Sequence, residues 1–326
     1  MTGMKILGIG GYVPENVVDN HYFESYLDTS DEWITTRSGI HRRHFAKGEY
    51  TWEMGAKAAK MALEQAQIDP ATLDVIIGTT VTNDNCTPAM ANLIQKELGA
   101  EHAFSYDINA ACTGFIYALD IASLYLATGR ARRVLVVSSE RLSQIMNFQN
   151  RDTCVLFGDG AGAMVVEADE NSPMPVACTH SVIDEKEVLY CRLFPNDDPA
   201  GQRETQRSLP MDGIHMNGRE VYKFAVGAMA HSVEEVLEKA GITAQDIDLL
   251  VPHQANRRII ESAAKRLQVP MDKVMVTLDE YGNTSSASIP LALTRLDREG
   301  RLKKGDRVVL TGFGAGLTCG AILVQW

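Results

Sequence analysis

The chain has 326 residues, 45% hydrophobic and 22% charged, with a formal net charge of −11. This is an ordinary globular balance, long enough for two subdomains, and the acidic excess argues against nucleic acid as a partner, though a local basic patch leaves room for an acidic one. No apolar run approaches the roughly 18 residues that a membrane span needs, no signal-peptide core opens the chain, and six cysteines (86, 112, 154, 178, 191 and 319) without a Cys-x-x-Cys pair fit a reducing cytoplasm better than a disulfide framework or a zinc site.

Strand and helix patterns alternate from the start, which predicts α/β layers. Ile6-Leu7 leads as a strand into Gly10-Gly11. Thr29-Ser-Asp-Glu32 reads as a capping box for a short helix through Arg37, closed by Gly39, with Trp33 and Arg37 on one face. An amphipathic helix is expected over residues 51–67 and strands over 75–79 and 103–108. After the last of these an apolar helix pattern runs through Phe115, Ala118, Leu119 and Ala122, with Cys112 at the join. Ala110, Ala111, Thr113 and Gly114 keep that turn small, so a partner can approach the sulfur closely. A thiol at a helix start meets the positive end of the helix dipole, which favours thiolate, and sharp strand-to-helix turns commonly display nucleophiles. Cys112 reads equally as one more small buried apolar residue.

Strands follow at 134–137 and 163–166, and the polar, proline-bearing stretch 169–175 marks a joint between two halves, 1–172 and 173–326. Shifting the chain by 174 reveals a repeat. Ala62-Leu-Glu-Gln-Ala-Gln-Ile68 falls on Val236-Leu-Glu-Lys-Ala-Gly-Ile242, Leu73-Asp74 on Ile247-Asp248, Ala118-Leu119 on Ala292-Leu293 and Val134 on Val308. Asn109 falls on Asn283 and Cys112 on Ser286, so only the first copy carries the thiol. Two such halves would pack with equivalent loops meeting near a pseudo-twofold axis, a natural place for a shared site. The second half reads as a helix over 219–239, a strand over 249–251 ending in Pro252-His-Gln-Ala-Asn256, an amphipathic helix, and a strand over 274–278. Residues 184–211 lack a period and read as a long loop or irregular hairpin, in which Asp197-Asp198 is a solvated pair.

His253 sits where a strand gives way to a loop, the usual address of catalytic groups in α/β proteins. Asn283 lies on the internal equivalent of the Cys112 turn. Each has a plain reading, as a loop histidine and a turn former, but thiol, imidazole and amide together make a set for covalent catalysis. Three glycine clusters, starting at Gly8, Gly158 and Gly312, complete neither G-x-G-x-x-G nor a P-loop, which excludes nucleotide-cofactor redox chemistry and phosphoryl transfer. The third follows a strand, and its backbone N–H groups suit an oxyanion hole. Arg219, Lys223, Arg257, Arg258, Lys265 and Arg266 gather near the expected entrance of an acidic protein, a place for an anionic partner.

Ala110-Ala-Cys-Thr-Gly-Phe115, His253-Gln-Ala-Asn256, Gly282-Asn-Thr-Ser285 and Gly312-Phe-Gly-Ala-Gly-Leu-Thr318 together resemble the 3-oxoacyl-(acyl-carrier-protein) synthase III family, as do Asp28-Thr-Ser-Asp-Glu-Trp-Ile34, Arg37-Ser-Gly-Ile40 and Phe157-Gly-Asp-Gly-Ala-Gly162. The resemblance runs over essentially the whole chain. It implies a thiolase-like duplicated α/β fold, an α-β-α-β-α sandwich, and decarboxylative condensation of an acyl-CoA primer with malonyl-acyl-carrier-protein in the cytoplasm. No cofactor or metal is implied. Cys112, His253 and Asn283 would be catalytic, with the N–H groups of Cys112 and Ala315 as oxyanion hole. Trp33, Arg37, Arg151, Gly218 and Asn256 would bind CoA, Thr87 and Phe157 would bound the acyl pocket, and Lys223, Gln254, Arg258, Lys265 and Arg266 would dock the carrier protein. Thr87 would act from the partner subunit, since family members are homodimers. Three positions depart from the family pattern: Cys319 stands where tryptophan is usual, Ser286 where alanine is, and Arg219 where some members have asparagine.

Overall fold

In the computed structural model, which describes residues 2–192 and 213–326, the chain lays down one small α/β unit twice. The first copy is a five-stranded sheet in the order Gly3–Tyr12, Gly160–Asp169, Arg133–Glu140, Val75–Thr79, Phe104–Ile108. Its first two junctions are antiparallel and its last two parallel. The second copy runs Val176–Ser181, Thr318–Gln325, Arg307–Gly314, Leu249–Pro252, with two antiparallel junctions and then a parallel one. A single parallel bridge from Val274 to Leu250 stands where its fifth strand would lie.

Strand periodicity sorts side chains into layers. Val75, Ile77, Val134 and Val136 face inward, onto the helices Gly114–Ala127 and Ser288–Arg298, while Ile76, Leu135 and Val137 face outward, onto Thr51–Ala66 and Met90–Leu98. Val251, Val308 and Leu310 meet the same two central helices from the other side. Val309 and Leu250 pack outward against Gly218–Ala240 and Arg257–Leu267. Five layers result, α-β-α-β-α. Covering both faces of each sheet explains why these strands read as near-continuous apolar runs.

The repeat extends to fine detail. The Asp74 carboxylate accepts from the N–H groups of Arg132 and Arg133 (2.7 and 2.9 Å), and Asp248, 174 residues on, accepts from Arg307 N (2.8 Å). Gln67 (φ 54°) and Gly241 (φ 67°), again 174 apart, close equivalent helices in the left-handed conformation.

Three local expectations change. Ser30, not Thr29, caps Asp31–Ser38 by accepting from Trp33 N. Residues 274–278 give one bridge rather than a strand, because the Gln254 side chain takes the N–H groups of Thr277 and Leu278 (2.7 and 3.3 Å) and turns the chain into the short helix Leu278–Tyr281. Within 184–211, Leu189–Cys191 forms a short antiparallel pair with Ile214–Met216; the stretch between, with Asp197-Asp198, lies outside the described residues.

Candidate active site

The nucleophile turn begins where Phe104–Ile108 ends. Asn109 Oδ1 accepts from Ala111 N (3.2 Å), Ala111 takes φ +48°, and a 3-10 turn over Ala111–Thr113 feeds Gly114–Ala127. Glycine is required at two places. A Cβ on Gly114 would stand 1.8 Å from Thr79 Oγ1, and one on Gly314 would stand 2.7 Å from Cys112 N. The helix therefore starts hard against one sheet while the Gly314–Ala315 loop lies directly over the Cys112 backbone. Thr318 Oγ1 ties that loop down, 2.9 Å from Thr113 Oγ1 and 3.2 Å from Ala110 O.

Cys112 is half-buried and faces a cavity of about 560 Å³. Burial pushes its thiol up to about 12; a hydrogen bond from the Ser285 side chain pulls the other way and the nearby Glu140 charge adds to the rise. The helix-dipole preference for thiolate expected from the sequence is thus outweighed by desolvation.

His253 follows Leu249–Pro252, its N–H donating to Thr311 O (2.7 Å), and its ring is 1% exposed. Burial lowers its pKa to about 3, so the imidazole is neutral. Its Nδ1 lies 2.7 Å from Ser288 Oγ, which already accepts from Gln254 N (3.3 Å). When Ser288 donates its proton to Nδ1, the imidazole proton sits on Nε2, which is then a donor. Phe313 packs edge-on against the ring, centroids 5.5 Å apart. Asn283 uses Oδ1 to accept from Ser285 N (2.8 Å), which leaves its Nδ2 as donor; its own N–H donates to Leu156 O and its carbonyl accepts from Gly158 N.

Cys112, His253, Asn283, Phe157 and Ala315 all line this one cavity. Ala111, Ser285 and Leu317, one in each loop around it, are non-glycine residues at φ 48°, 50° and 47°. Strain of this kind costs on the order of 1–3 kcal/mol per residue and persists where packing over-determines the loop.

The cavity continues into an outer cleft of about 720 Å³ through shared walls at Leu156, Met216, Gly218, Tyr222 and Asn256. Gly218 leaves the passage open: a Cβ there would meet nothing nearer than Met216 Cε at 4.0 Å. At the far end Trp33 has Arg37 Cζ 4.8 Å and Arg151 Cζ 5.1 Å from its ring centre, and Arg151 donates to Asp28 O. Asn256 spends its amide on structure, Nδ2 to Arg37 O and Oδ1 from Arg258 N, capping Arg257–Leu267. Arg258 and Lys223 are exposed at the mouth; Lys265 and Arg266 are exposed further along.

Two expected residues stand elsewhere. Gln254 is 1% exposed and bonded on both sides, to Pro252 O and Met275 O through Nε2 and from Thr277 N and Leu278 N through Oε1, so it cannot touch a carrier protein; it organises the loop behind His253. Thr87 is exposed and outside this chain's own cavity lining. Sequence reasoning missed Glu140, Ser285 and Ser288 in these roles, and Cys191, Leu142, Ile145 and Ile214 in the cavity wall. The Ser-rich run Ser285-Ser-Ala-Ser288 was the available signal for two of them. The fold also gathers Cys178, His180 and Glu235, whose ligand atoms lie within 4.8 Å of one another, a cluster that Cys spacing could not show. Their polar groups are engaged: His180 Nε2 with Glu235 (2.6 Å), Glu235 with Lys239 (2.8 Å), Cys178 Sγ to Ser232 O (3.2 Å).

Comparison with known proteins gives one family. Residues 106–182 match the description "3-Oxoacyl-[acyl-carrier-protein (ACP)] synthase III" and residues 237–326 its C-terminal counterpart. The beta-ketoacyl-[acyl-carrier-protein] synthase III of Clostridium acetobutylicum is 45% identical over 326 residues, covering 100% of this chain and 99% of that protein. The crystal structure of 3-oxoacyl-[acyl-carrier-protein] synthase III from Aquifex aeolicus superposes with a TM-score of 0.91 at 44% identity, covering 99% of this chain and 100% of that one. The priming beta-ketosynthase of the R1128 polyketide pathway does so at 0.91 and 37%, covering 99% and 96%.

Proposed function

As the comparisons show, the chain belongs to the 3-oxoacyl-(acyl-carrier-protein) synthase III family of acyl-transferring condensing enzymes, and we propose that it joins an acyl-CoA primer to malonyl-acyl-carrier-protein through an acyl-Cys112 intermediate, starting fatty acid synthesis. One observation carries the reading: a thiol, a buried neutral imidazole and a carboxamide, those of Cys112, His253 and Asn283, line one apolar cavity. Decarboxylation of a malonyl thioester develops an enolate, which needs donors that stay neutral and a site that excludes water. His253 meets the first need because burial keeps it from protonating.

Cys112 takes the acyl group as a thioester and CoA leaves. The malonyl carbonyl oxygen then accepts from His253 and Asn283, carbon dioxide departs, and the carbanion attacks the acyl carbon on Cys112. The N–H groups of Cys112 and Ala315 hold the oxyanion of each tetrahedral intermediate. Trp33, Arg37 and Arg151 take the CoA nucleotide, the passage by Gly218 and Asn256 takes the pantetheine arm, and Phe157 walls the acyl end. Lys223, Arg258, Lys265 and Arg266 receive the acidic carrier protein. Residues 1–172 thus supply the nucleophile and 173–326 the donors.

A second copy of the chain suits the outer edge of Phe104–Ile108, which among the described residues pairs only with Val75–Thr79 and exposes Phe104; Thr87 would then close the partner's acyl pocket. A reduced thiol nucleophile fits the cytoplasm, and no described helix is long and apolar enough to cross a membrane. The chemistry asks for no cofactor beyond the two substrates. A polyketide-type primer is the competing use of the same site, favoured by the likeness to the R1128 ketosynthase. Intact mass after exposure to an acyl-CoA panel, followed by malonyl-carrier protein and carbon dioxide release, tests both. A Cys112 adduct with short acyl groups that condenses supports fatty acid priming. Exclusive acylation by an unusual primer supports the second use, and no adduct overturns both.

A further inference from the structure

Among the described residues, one group of side chains away from the cavity carries the donor atoms of a metal site. The Cys178 sulfur, a His180 ring nitrogen and a Glu235 carboxylate oxygen all lie within 4.8 Å of one another. Their convergence follows from the fold. Cys178 and His180 stand two apart on the strand Val176–Ser181, so both point to the same face of the second sheet. That face meets the helix Gly218–Ala240: Cys178 Sγ donates to Ser232 O (3.2 Å), and His180 Nε2 lies 2.6 Å from Glu235 Oε2. Cys319 pairs with His180 across the ladder. Cross-strand neighbours stand about 5 Å apart at Cβ, so the small thiol, where the family pattern has tryptophan, leaves the imidazole room. Ser232, the residue whose carbonyl takes the Cys178 S–H, also has a fully buried hydroxyl without a hydrogen-bond partner.

We propose that Cys178, His180 and Glu235 bind one divalent ion of borderline softness, for which zinc fits best, with water in the fourth position. Thiolate, imidazole and carboxylate together make a zinc ligand set, whereas magnesium and calcium take oxygen alone. The size agrees. With bonds of about 2.0–2.3 Å, the ligand atoms of a tetrahedral zinc site stand roughly 3.3–3.8 Å apart. The sulfur therefore closes in by about 1 Å at most, and the His180–Glu235 pair opens by slightly less as the proton between them gives way to the ion. The imidazole then carries its proton on Nδ1. Charge balances as well: the Cys178 proton leaves to solvent, and thiolate and carboxylate offset the two positive charges of the ion. Glu235 keeps its other oxygen on Lys239 (2.8 Å), the kind of outer contact that orients a metal-bound carboxylate. The His180 side chain is 45% exposed, which gives the ion a way in. Such an ion clamps Val176–Ser181, which among the described residues pairs only with Thr318–Gln325, to the helix whose first turn walls the passage at Gly218. Its role is structural, because none of the three ligands lines the cavity that holds Cys112.

The full chain, freed of metal by a chelator and kept reduced, is titrated with zinc against a chromophoric chelator and with cobalt(II) in a spectrophotometer. Wild type should take up one zinc per chain at this site, melt at a higher temperature with zinc than without, and give sulfur-to-cobalt charge-transfer absorption. Cys178→Ser should lose that absorption. His180→Ala, a change at a half-exposed side chain, should weaken zinc binding by about 10²-fold or more, since even an outer partner of a metal ligand is worth about 10–100-fold. The Cys112 thiol is another soft ligand that zinc could find, so both titrations are repeated in Cys112→Ala. Uptake retained in Cys112→Ala and weakened in His180→Ala supports the site. Uptake lost in Cys112→Ala but unchanged in His180→Ala overturns it, as does no uptake by wild type or an equal response to magnesium. Should Cys178→Ser not fold, His180→Ala carries the test alone.

Discussion

The turns Asn109–Gly114 and Asn283–Ser288 are copies of one another at an offset of 174. Each puts its first asparagine's Oδ1 on the N–H two residues on, each carries a left-handed non-glycine residue (Ala111, Ser285), and each opens a central-layer helix. Their chemistry nevertheless differs. In the first turn the cavity meets the sulfur of Cys112; in the second the side chain at the matching position, Ser286, points back to Glu140, and Asn283 and Ser285 face the cavity instead. In the proposed mechanism one backbone device thus serves as nucleophile carrier on one side of the site and as donor carrier on the other. What separates the roles is a single sulfur and the direction from which each turn enters.

Removing the sulfur breaks the comparison most completely. Cys112→Ala should form no covalent adduct with any acyl-CoA by intact mass, whereas Cys154→Ala, Cys319→Ala and the cavity-lining Cys191→Ala should each retain one. An adduct surviving in Cys112→Ala would move the nucleophile elsewhere.

Asn283→Ala acts on the second turn. Acylation should persist, and condensation should fall about 10²–10³-fold, as for one lost transition-state donor. Equal losses in both half-reactions would show that Asn283 serves mainly to hold the turn.

His253 sharpens the division through pH. Its folded pKa is held near 3, below the ordinary value near 6.5. The unfolded chain therefore binds the extra proton first, and the stability contributed by the neutral ring is complete above pH 6.5 and lost as pH falls toward 3. Urea unfolding should show wild type losing about 1.4 kcal/mol per pH unit below 6.5 relative to His253→Gln. Parallel pH curves for the two proteins would mean that the ring is not held neutral.

The smallest effect concerns the outer helices. Arg257–Leu267 presents Arg258, Lys265 and Arg266, while its counterpart Met90–Leu98 has one lysine, Lys96, followed by Glu97. Exposed pairs are worth up to about 1 kcal/mol each and are screened over roughly 8 Å at physiological salt. Arg258→Glu with Lys265→Glu should raise the KM for malonyl-carrier protein severalfold and flatten its salt dependence, with little change in acylation by a short acyl-CoA. Similar losses in both steps would assign these residues to CoA binding or to the fold.

Much of this was legible before any coordinates. The layered order follows from apolar strand runs alternating with helix patterns, and the 174-residue offset relates Cys112, Asn109 and Asn283 because a duplicated unit conserves the spacing of its turns. His253 was legible as a strand-end residue. The strand expected at 274–278 failed because one side chain, Gln254, outbid the sheet for two N–H groups, and nothing local in 274–278 signals a hydrogen bond from 23 residues away. Gln254 misled for the same reason, since a polar residue next to a catalytic histidine looks like surface until its burial is known.

The sequence by itself determined which residues could do chemistry and that two like units carry them, because side-chain type and repeat spacing are properties of the chain. Tertiary structure decided the protonation of each group and which groups meet. Burial raised the Cys112 thiol against the helix dipole and kept His253 neutral, and the packing of two sheets about a shared helical layer brought Glu140 within reach of Ser286, 146 residues further on. Desolvation and long-range contact depend on what the rest of the chain places around a residue, and no window of sequence around that residue contains them.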